Sequence, residues 1–348
     1  MNRRVNNWST LTLPLESSFS DALEAINQGG YQVALITNKD GKLLGMITDS
    51  DIRKALLKHI SLEHNVKDVM NASPLVAPPE LNDNEAKIIM SLNHFFHLPI
   101  VDQNGVLVGL HVADQLGFPE IRKETFVVMA GGRGKRLMPL TEKIPKPMLP
   151  VKGKPMLEHI ISNAKAEGFE NIAISVNYLA EKIIDHFGDG TNYGVNIEYI
   201  KEDKPLGTAG ALANLPPRLK QHSCVVTNAD LITEVSYVDL LLQSHREKAD
   251  GLMAVRVQEW QNPFGIVRTK GNSIVGIEEK PIYRQQVNAG IYVISPSLLK
   301  LLNKDIYCDM PDLFTKALGL GMNLKAFPIH ESWIDIGRHA DYKSVNLD

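Results

Sequence analysis

The chain has 348 residues, of which 44% are hydrophobic, and a formal net charge of −3. This length and apolar content predict two domains with full cores, and the near-neutral charge excludes a general nucleic-acid-binding surface. The two cysteines lack CxxC spacing, which is typical of reduced thiols. The N-terminus has no apolar signal-peptide core, and no segment approaches the roughly 18 apolar residues of a membrane span. We therefore expect a cytoplasmic protein without nucleic-acid or membrane partners.

An internal repeat occupies the first third of the chain. Residues 30–45, GYQVALITNKDGKLLG, align without a gap with residues 94–109, HFFHLPIVDQNGVLVG. Each copy is predicted to run helix, strand, turn, strand, helix, and the turns contain Asp40-Gly41 and Asn104-Gly105, which are strong hairpin signals. Two copies of such a unit are expected to pack together and bury surfaces that neither can bury alone.

The stretch GMITDSDIRKAL begins at Gly45. Together with the repeat, it resembles a tandem pair of CBS domains, which are α+β modules. The resemblance implies that Thr48 and Asp51 bind the ribose of a regulatory adenine or guanine nucleotide, and a carboxylate can accept hydrogen bonds from both ribose hydroxyls. In the second copy Val112 and Gln115 replace these residues, so we expect at most one clean ribose site. The alternative is that both copies only form a dimer interface.

A change in charge marks a predicted domain boundary. Residues 1–120 contain 9 Lys and Arg against 14 Asp and Glu, whereas the remainder contains 28 against 26 and is the better host for a triphosphate. The stretch GFPEIRKE, residues 117–124, has no periodicity and is the predicted linker. We therefore predict domains at residues 1–62, 63–120 and 121–348.

Strands and helices alternate from Thr125 onward. FVVMA, NIAISVNY, GVNIEYIKE and SCVVTNAD are predicted strands, and Pro155 to Ala166 is a predicted helix. This alternation predicts a mainly parallel sheet covered on both faces. Ligands of such sheets bind at the carboxyl ends of the strands, where Ala130, Asn228 and Asp230 lie.

A glycine-rich and basic stretch, AGGRGKRLMPLTEKIPKPMLPV, follows the first of these strands. Gly131, Gly132 and Gly134 come directly off the strand, and such a loop can surround phosphate oxygens with main-chain donors. Prolines stiffen the segment, and its basic residues are Arg133, Lys135, Arg136, Lys143 and Lys146. The pattern indicates a polyphosphate site, although it matches neither GxGxxG nor GxxxxGK[ST]. The alternative is a tight turn with a solvated basic rim.

Carboxylates and small residues close several later strands. Asp230 ends one apolar strand and Asp335 lies in WIDIG, and two carboxylates beside a polyphosphate loop predict a Mg²⁺ site. Either aspartate alone would be a turn or cap residue. Further loops occur at KEDKPLGTAG, NPFGIV and EEKP, and NAGIYVIS begins a strand with small residues that a ligand can approach.

With these motifs in this order, residues 125–348 resemble the sugar-1-phosphate nucleotidylyltransferase family, and most of all its GDP-sugar-forming members. The resemblance implies an α/β domain with a Rossmann-like, mixed and mainly parallel sheet. It implies nucleotide binding by Gly131, Gly132, Gly134, Glu202, Gly207 and Thr208. It implies sugar-phosphate binding by Gly265, Glu279, Lys280 and Asn288. The implied catalytic residues are Arg136, Lys146, Asp230, Lys280 and Asp335, of which Asp230 and Asp335 would bind Mg²⁺.

The implied reaction joins an NTP to a sugar 1-phosphate and releases pyrophosphate, with positioning and charge stabilisation as the main sources of catalysis. Glu202 stands where the family places its base-contacting side chain, five residues before Gly207. Guanine offers two donors on its pairing edge and a carboxylate only accepts, so we predict GTP. The alternative nucleotide is UTP or dTTP. The alternative for Glu202 is a solvated charge in a loop, with no role in base recognition.

The CBS pair in front of such a domain resembles enzymes that make GDP-glucosamine for legionaminic acid pathways. By that analogy the expected acceptor is glucosamine 1-phosphate, with mannose 1-phosphate as the alternative. CBS pairs also imply a homo-oligomer. A non-enzymatic alternative is a nucleotide-sensing protein with an inactive transferase domain. A metal at His94 and His97 is not expected, because structural zinc takes four ligands.

Overall fold

A computed structural model describes residues 8–58, 60–93, 95–113 and 121–346. His94, Gln115 and the first half of the predicted linker lie outside these ranges. The chain divides into two compact units, Met1–Pro119 and Glu120–Asp348. Within the described residues, no helix is long and apolar enough to cross a membrane.

The first unit is built from two strand–turn–strand hairpins and flanking helices. Its elements are β1 (Thr12–Pro14), α1 (Phe19–Gly29), β2 (Val33–Thr37), β3 (Leu43–Thr48), α2 (Asp49–Leu57), α3 (Asp83–Asn93), β4 (His97–Val101) and β5 (Leu107–Val112). Strands β1, β2 and β3 form one sheet, and β4 pairs with β5 in another. Both predicted hairpins are confirmed, with Gly41 and Gly105 in the left-handed region at φ 76° and 79°.

The repeat seen in the sequence is also a repeat in strand register. Val33 lies opposite Thr48 in the first hairpin, and His97 lies opposite Val112 in the second. The buried His97 links the two copies, because its Nε2–H donates to the main-chain oxygen of Tyr31 at 2.5 Å. This bond assigns His97 a structural role.

The second unit carries the larger sheet. Its elements are β6 (Thr125–Met129), β7 (Pro150–Val151), β8 (Lys154–Pro155), α4 (Met156–Ala166), β9 (Asn171–Val176), α5 (Ala180–Phe187), β10 (Asn196–Lys201), α6 (Gly207–Gly210), β11 (Cys224–Asn228), β12 (Leu231–Thr233), α7 (Tyr237–Arg246), β13 (Gly251–Gln261), β14 (Ile266–Lys270), β15 (Ser273–Glu278), β16 (Ile282–Ile294), α8 (Pro296–Leu299), α9 (Met310–Gly319), β17 (Leu324–Ile329), β18 (Trp333–Asp335) and α10 (His339–Val345).

Seven of these strands form one mixed sheet in the order β10-β9-β6-β11-β16-β13-β17. Strands β10, β9, β6 and β11 are mutually parallel, β16 runs antiparallel to its neighbours β11 and β13, and β13 pairs with β17 in parallel. The predicted mixed and mainly parallel α/β sheet is therefore confirmed.

Alternate residues of the central strands are buried on opposite faces of the sheet. Phe126 and Val128 belong to one apolar core, which also contains Leu157 of α4 and Leu240 of α7. Val127 belongs to a second core with residues of α9. Burial on both faces is typical of parallel strands. Because β6, β9, β10 and β11 run parallel, the loops that follow them lie at one edge of the sheet.

Acid is expected to destabilise the first unit through His97. Burial lowers the pKa of His97 to about 4, although its bond to the Tyr31 oxygen and the charge of Asp49 favour the protonated form. The unfolded chain binds the proton near pH 6.5, so this contribution to stability is full above that pH and is lost as the pH falls toward 4.

The variant His97→Gln keeps a donor for the Tyr31 oxygen but does not titrate. Between pH 7 and 5, the wild type should lose about 2 kcal/mol more unfolding free energy than the variant does. The measurement is urea unfolding at each pH, with amide hydrogen exchange of β4 and β5 to follow this unit. Equal losses in the two proteins would contradict the assignment.

Candidate active site

A buried lysine at the end of the glycine-rich stretch pairs with a carboxylate at the end of a central strand. Lys146 begins a short 3-10 helix, Lys146–Met148, with Pro145 just before it, and is 9% exposed. Its Nζ forms an ion pair with Oδ2 of Asp230, which follows β11. Because a buried ammonium group is stable only with a partner, this pair holds the stretch against the strand end.

The second oxygen of Asp230 is left without a hydrogen-bond partner by the described residues. Asp230 Oδ1 is buried and has no hydrogen-bond partner among the residues that the structure describes. Strand β12 places Leu231 opposite Asp335 of β18, and the Ile336 amide donates to the Asp230 main-chain oxygen at 3.0 Å. The two predicted metal ligands are thus neighbours.

Electrostatics at Asp335 reflect this proximity. Partial desolvation and the Asp230 carboxylate raise the pKa of Asp335, while Lys146 and Arg136 oppose that rise. Two adjacent carboxylates, one with an unpartnered buried oxygen, are the oxygen donors that a hard divalent cation prefers. The residues present therefore fit a Mg²⁺ ion.

Arg136 also lies close to Asp335 and therefore belongs to the same cluster as Lys146 and Asp230. A β carbon added to Gly337 would lie 3.3 Å from Arg136 Nη1, so the guanidinium lies against the backbone just after Asp335. The structure thus brings together Arg136, Lys146, Asp230 and Asp335, which are four of the five predicted catalytic residues.

The three glycines after β6 have different surroundings. Gly134 has φ 60°, and a β carbon there would lie 3.0 Å from Lys146 Cβ. A β carbon at Gly131 would lie 2.8 Å from Glu202 Oε1, whereas nothing lies within 4 Å of that position at Gly132. Gly131 and Gly134 are thus explained by packing within the protein, and Gly132 faces the open space that a ligand can enter.

Glu202 is held at both carboxylate oxygens. Its Oε1 accepts from Ser175 Oγ at 2.5 Å, and its Oε2 accepts from the Leu206 amide at 2.7 Å. The Asn177 side chain donates to the Glu202 main-chain oxygen at 2.6 Å. Glu202 is therefore a fixed carboxylate and is not a freely solvated loop charge.

Gly207 and Thr208 pack against the segment before α9. Gly207 has φ 78°, and a β carbon there would lie 2.5 Å from the Cys308 oxygen. Asp309 Oδ1 accepts from the Thr208 amide and hydroxyl at 3.0 and 3.3 Å, and the hydroxyl also accepts from the Met310 amide. These contacts hold the loop in place, and contact of Gly207 and Thr208 with a nucleotide stays a prediction.

The predicted sugar-binding residues lie on or near β13 to β16. A β carbon at Gly265 would lie 2.7 Å from Glu279 Oε2, so these two residues are in contact. Lys280 is exposed and has φ 46°. Asn288 donates to the Tyr292 hydroxyl at 2.7 Å and accepts from the Gly290 amide at 2.9 Å. A role for these residues in sugar binding stays a prediction.

Two side chains that sequence reasoning missed brace the segment that carries Asp335. Trp333 Nε1 donates to the Ala289 oxygen at 2.8 Å, which ties β18 to the NAG segment. Arg256 donates to the Trp333 oxygen at 2.9 Å and lies 5.6 Å from the ring centroid. The sequence feature that could have indicated this bracing is the large, hydrogen-bonding tryptophan two residues before Asp335.

Thr48 and Asp51 of the first unit lie together in a helix cap. The Thr48 amide and hydroxyl donate to Asp51 Oδ2 at 3.0 and 2.7 Å, which forms the capping box of α2. This contact explains the pair structurally, and ribose binding by it stays a prediction.

Replacing Asp335 by asparagine should raise the melting temperature of the metal-free chain at pH 7. A carboxyl group whose pKa is raised by folding destabilises the folded state when ionised, and this penalty disappears as the pH falls toward 4. We expect a rise of roughly 1–2 °C, because solvent screens an exposed carboxylate.

The measurement is thermal unfolding of Asp335→Asn in EDTA at pH 7 and pH 4.5, and then with Mg²⁺ at pH 7. The gain should be smaller at the lower pH, and Mg²⁺ should stabilise the wild type more than the variant. Asp312→Asn, an exposed change on α9, is the control. A lower melting temperature at pH 7 with an unchanged Mg²⁺ effect would contradict the proposed site.

Comparison with known proteins connects this geometry to a family. The nucleotidyl transferase profile matches residues 125–348, and the CBS domain profile matches residues 1–58 and 66–110. HddC from Yersinia pseudotuberculosis, solved in complex with GMP-PN, aligns with 64% of this chain and 98% of its own at a TM-score of 0.51 and 25% identity.

Two curated relatives carry sugar-phosphate names. A UTP–glucose-1-phosphate uridylyltransferase of Synechocystis sp. is 31% identical over 238 residues, 62% of this chain and 61% of the relative. A mannose-1-phosphate guanylyltransferase of Mycobacterium tuberculosis is 37% identical over 177 residues, 50% of this chain and 49% of the relative. The chain therefore spans about half to three fifths of these relatives.

The family profile covers most of the chain, and the predicted resemblance is confirmed: the chain belongs to the nucleotidyl transferase family and carries CBS domains at its N-terminus.

Proposed function

We propose that this chain is an enzyme that transfers a guanylyl group from GTP to a sugar 1-phosphate and releases pyrophosphate. The observation that carries the proposal is the cluster at the strand ends, where Lys146 pairs with Asp230 beside Asp335 and Arg136. The names of the curated relatives support the reaction class. A sensor with an inactive transferase domain is disfavoured because these four side chains are all in place.

In the proposed reaction an oxygen of the sugar phosphate attacks the α-phosphorus of GTP. A new P–O bond forms as the bond to the bridging oxygen breaks, and that electron pair leaves with pyrophosphate. Arg136 and Lys146 offset the charge that develops on the leaving group, and Lys280 holds the sugar phosphate against repulsion by the triphosphate. When bound by Asp230 and Asp335, Mg²⁺ would supply Lewis-acid stabilisation of phosphate charge.

The choice of GTP rests on Glu202. Its fixed carboxylate only accepts hydrogen bonds and matches the two donors of guanine. The mannose-1-phosphate guanylyltransferase of M. tuberculosis and the GMP-PN complex of HddC support this choice. The uridylyltransferase of Synechocystis favours UTP as the second candidate.

Glucosamine 1-phosphate is the proposed acceptor, by analogy with enzymes that also have a CBS pair in front of the transferase domain. Mannose 1-phosphate is the second candidate, because relatives from M. tuberculosis and Schizosaccharomyces pombe are named for it.

We also propose that the CBS pair binds a regulatory nucleotide near Thr48 and Asp51 and takes part in a homo-oligomer. The match of residues 1–58 to the CBS domain profile supports the regulatory site.

A crossed substrate assay tests the function. Pyrophosphate release would be measured with GTP, UTP, dTTP and ATP, each against glucosamine, N-acetylglucosamine, glucose and mannose 1-phosphates with Mg²⁺. We expect GTP with glucosamine 1-phosphate to give the highest kcat/KM. Preference for UTP or dTTP would overturn the assignment of the base, and no release with any pair would overturn the enzymatic function.

Removal of the Lys146 ammonium group should abolish most activity. We expect Lys146→Ala to lower kcat/KM by at least ~10²-fold, the scale of one preorganised electrostatic group. Lys143→Ala, an exposed change in the same stretch, is the matched control and should stay within about threefold of the wild type. Thermal unfolding of both variants verifies that they are folded, and near-normal turnover of Lys146→Ala would refute its role.

A further inference from the structure

A buried hydroxyl group lies in the middle of the strand ends that form the site. Ser175 is near the end of β9, between Ile174 and Val176, and is fully buried. A buried polar side chain requires a hydrogen-bond partner. Its partner is a charged group, Oε1 of Glu202 at 2.5 Å.

The position of β9 in the sheet gives Ser175 two connections. Because β9 lies between β10 and β6, Ser175 is flanked by the loops that follow both strands. Its side chain reaches Glu202, which follows β10, while its main-chain oxygen accepts from the Ala130 amide at 2.9 Å, which follows β6. One residue therefore fixes the glutamate relative to the start of the glycine-rich stretch.

The number of free acceptor positions on the Glu202 carboxylate can be compared with the number of donors on guanine. A carboxylate has roughly four lone-pair positions, two on each oxygen. Ser175 occupies one on Oε1 and the Leu206 amide occupies one on Oε2. Counting the residues that the structure describes, one position remains on each oxygen. The N1–H and 2-amino groups of guanine are two donors side by side.

We propose that Ser175 is a positioning residue for nucleotide selection: its hydroxyl holds the Glu202 carboxylate so that both remaining lone pairs face the two donors of guanine together. This proposal rests on the proposed function, guanylyl transfer from GTP. Without the hydroxyl, Oε1 loses its anchor while Oε2 stays bound to the Leu206 amide, so the carboxylate turns and the two donors are no longer met at once.

A purely structural Ser175 would have a different effect. If its bond only stabilised the loop after β10, its loss would reduce activity with every nucleotide by the same factor. The distinguishing quantity is the ratio of kcat/KM for GTP to kcat/KM for ITP. Hypoxanthine, the base of ITP, keeps the N1–H donor of guanine but lacks the 2-amino group. The ratio therefore measures the contribution of the 2-amino donor alone.

The experiment uses the full chain with glucosamine 1-phosphate, or with the best acceptor found in the substrate assay. The wild type should prefer GTP over ITP by about 10-fold or more, the scale of a hydrogen bond to a charged group. Ser175→Ala should lower that ratio to about 1–3, and Ser175→Thr, which keeps a hydroxyl, should retain more of it. Ser223→Ala, a serine-to-alanine change just before β11, is the control and should leave the ratio unchanged.

Each outcome decides one question. A wild type that releases no pyrophosphate from GTP, or prefers UTP, overturns the proposed function itself. A wild type that uses GTP and ITP equally overturns the two-donor match at Glu202 and with it the role of Ser175, although guanylyl transfer itself can stand. A Ser175→Ala variant with the wild-type ratio overturns only the role of Ser175. If Ser175→Ala does not fold, Glu202→Gln decides by the same ratio, because it keeps the size of the side chain but has a single acceptor oxygen. An unchanged ratio in Glu202→Gln also overturns the proposal.

Discussion

The ion pair between Lys146 and Asp230 is the contact around which the candidate site is arranged. It joins positions 84 residues apart in the chain and ties the glycine-rich stretch to the end of β11. Because the pair uses only one oxygen of Asp230, the other stays buried near Asp335 and has no partner within the described part of the chain. Loss of either partner would leave an uncompensated charge in a poorly solvated place. The same pair therefore holds the glycine-rich stretch at the place where we propose that a triphosphate binds.

The parallel strands explain why distant segments meet here. Strands β10, β9, β6 and β11 end at one edge of the sheet, and the Glu202 loop and the glycine-rich stretch follow β10 and β6, on either side of β9. Segments from the C-terminal third brace these loops. Asp309 holds the loop at Thr208, and Trp333 ties the strand of Asp335 to Ala289. The loop at Thr208 thus depends on a residue 101 positions later in the chain.

Much of this arrangement could be predicted from local sequence. Apolar runs that end in Gly or Asp gave the strand ends, so Asp230 and the glycine-rich stretch were expected at one edge. The repeat predicted two hairpins, and their registers are equivalent, with His97 at the position of Val33. These features depend on periodicity and turn chemistry, which short segments carry by themselves.

Features that depend on tertiary contacts could not be predicted. Gly131 suggested a phosphate cradle and Gly207 a nucleotide contact, but their lack of a side chain is explained by Glu202 and by the Cys308 oxygen. Ser175 looked like an ordinary strand residue because its partner lies in the loop after the next strand, β10. Only a polar side chain within the apolar run NIAISV marked it, and such a signal does not identify the partner.

The most direct measurement is a crystal structure of the chain with GTP and Mg²⁺. Both guanine donors should lie within about 3 Å of the Glu202 oxygens, with Ser175 Oγ still bonded to Oε1 and the triphosphate in contact with Arg136 and Lys146. A guanine bound elsewhere, or a Glu202 that contacts protein atoms alone while the nucleotide occupies the site, would contradict this assignment.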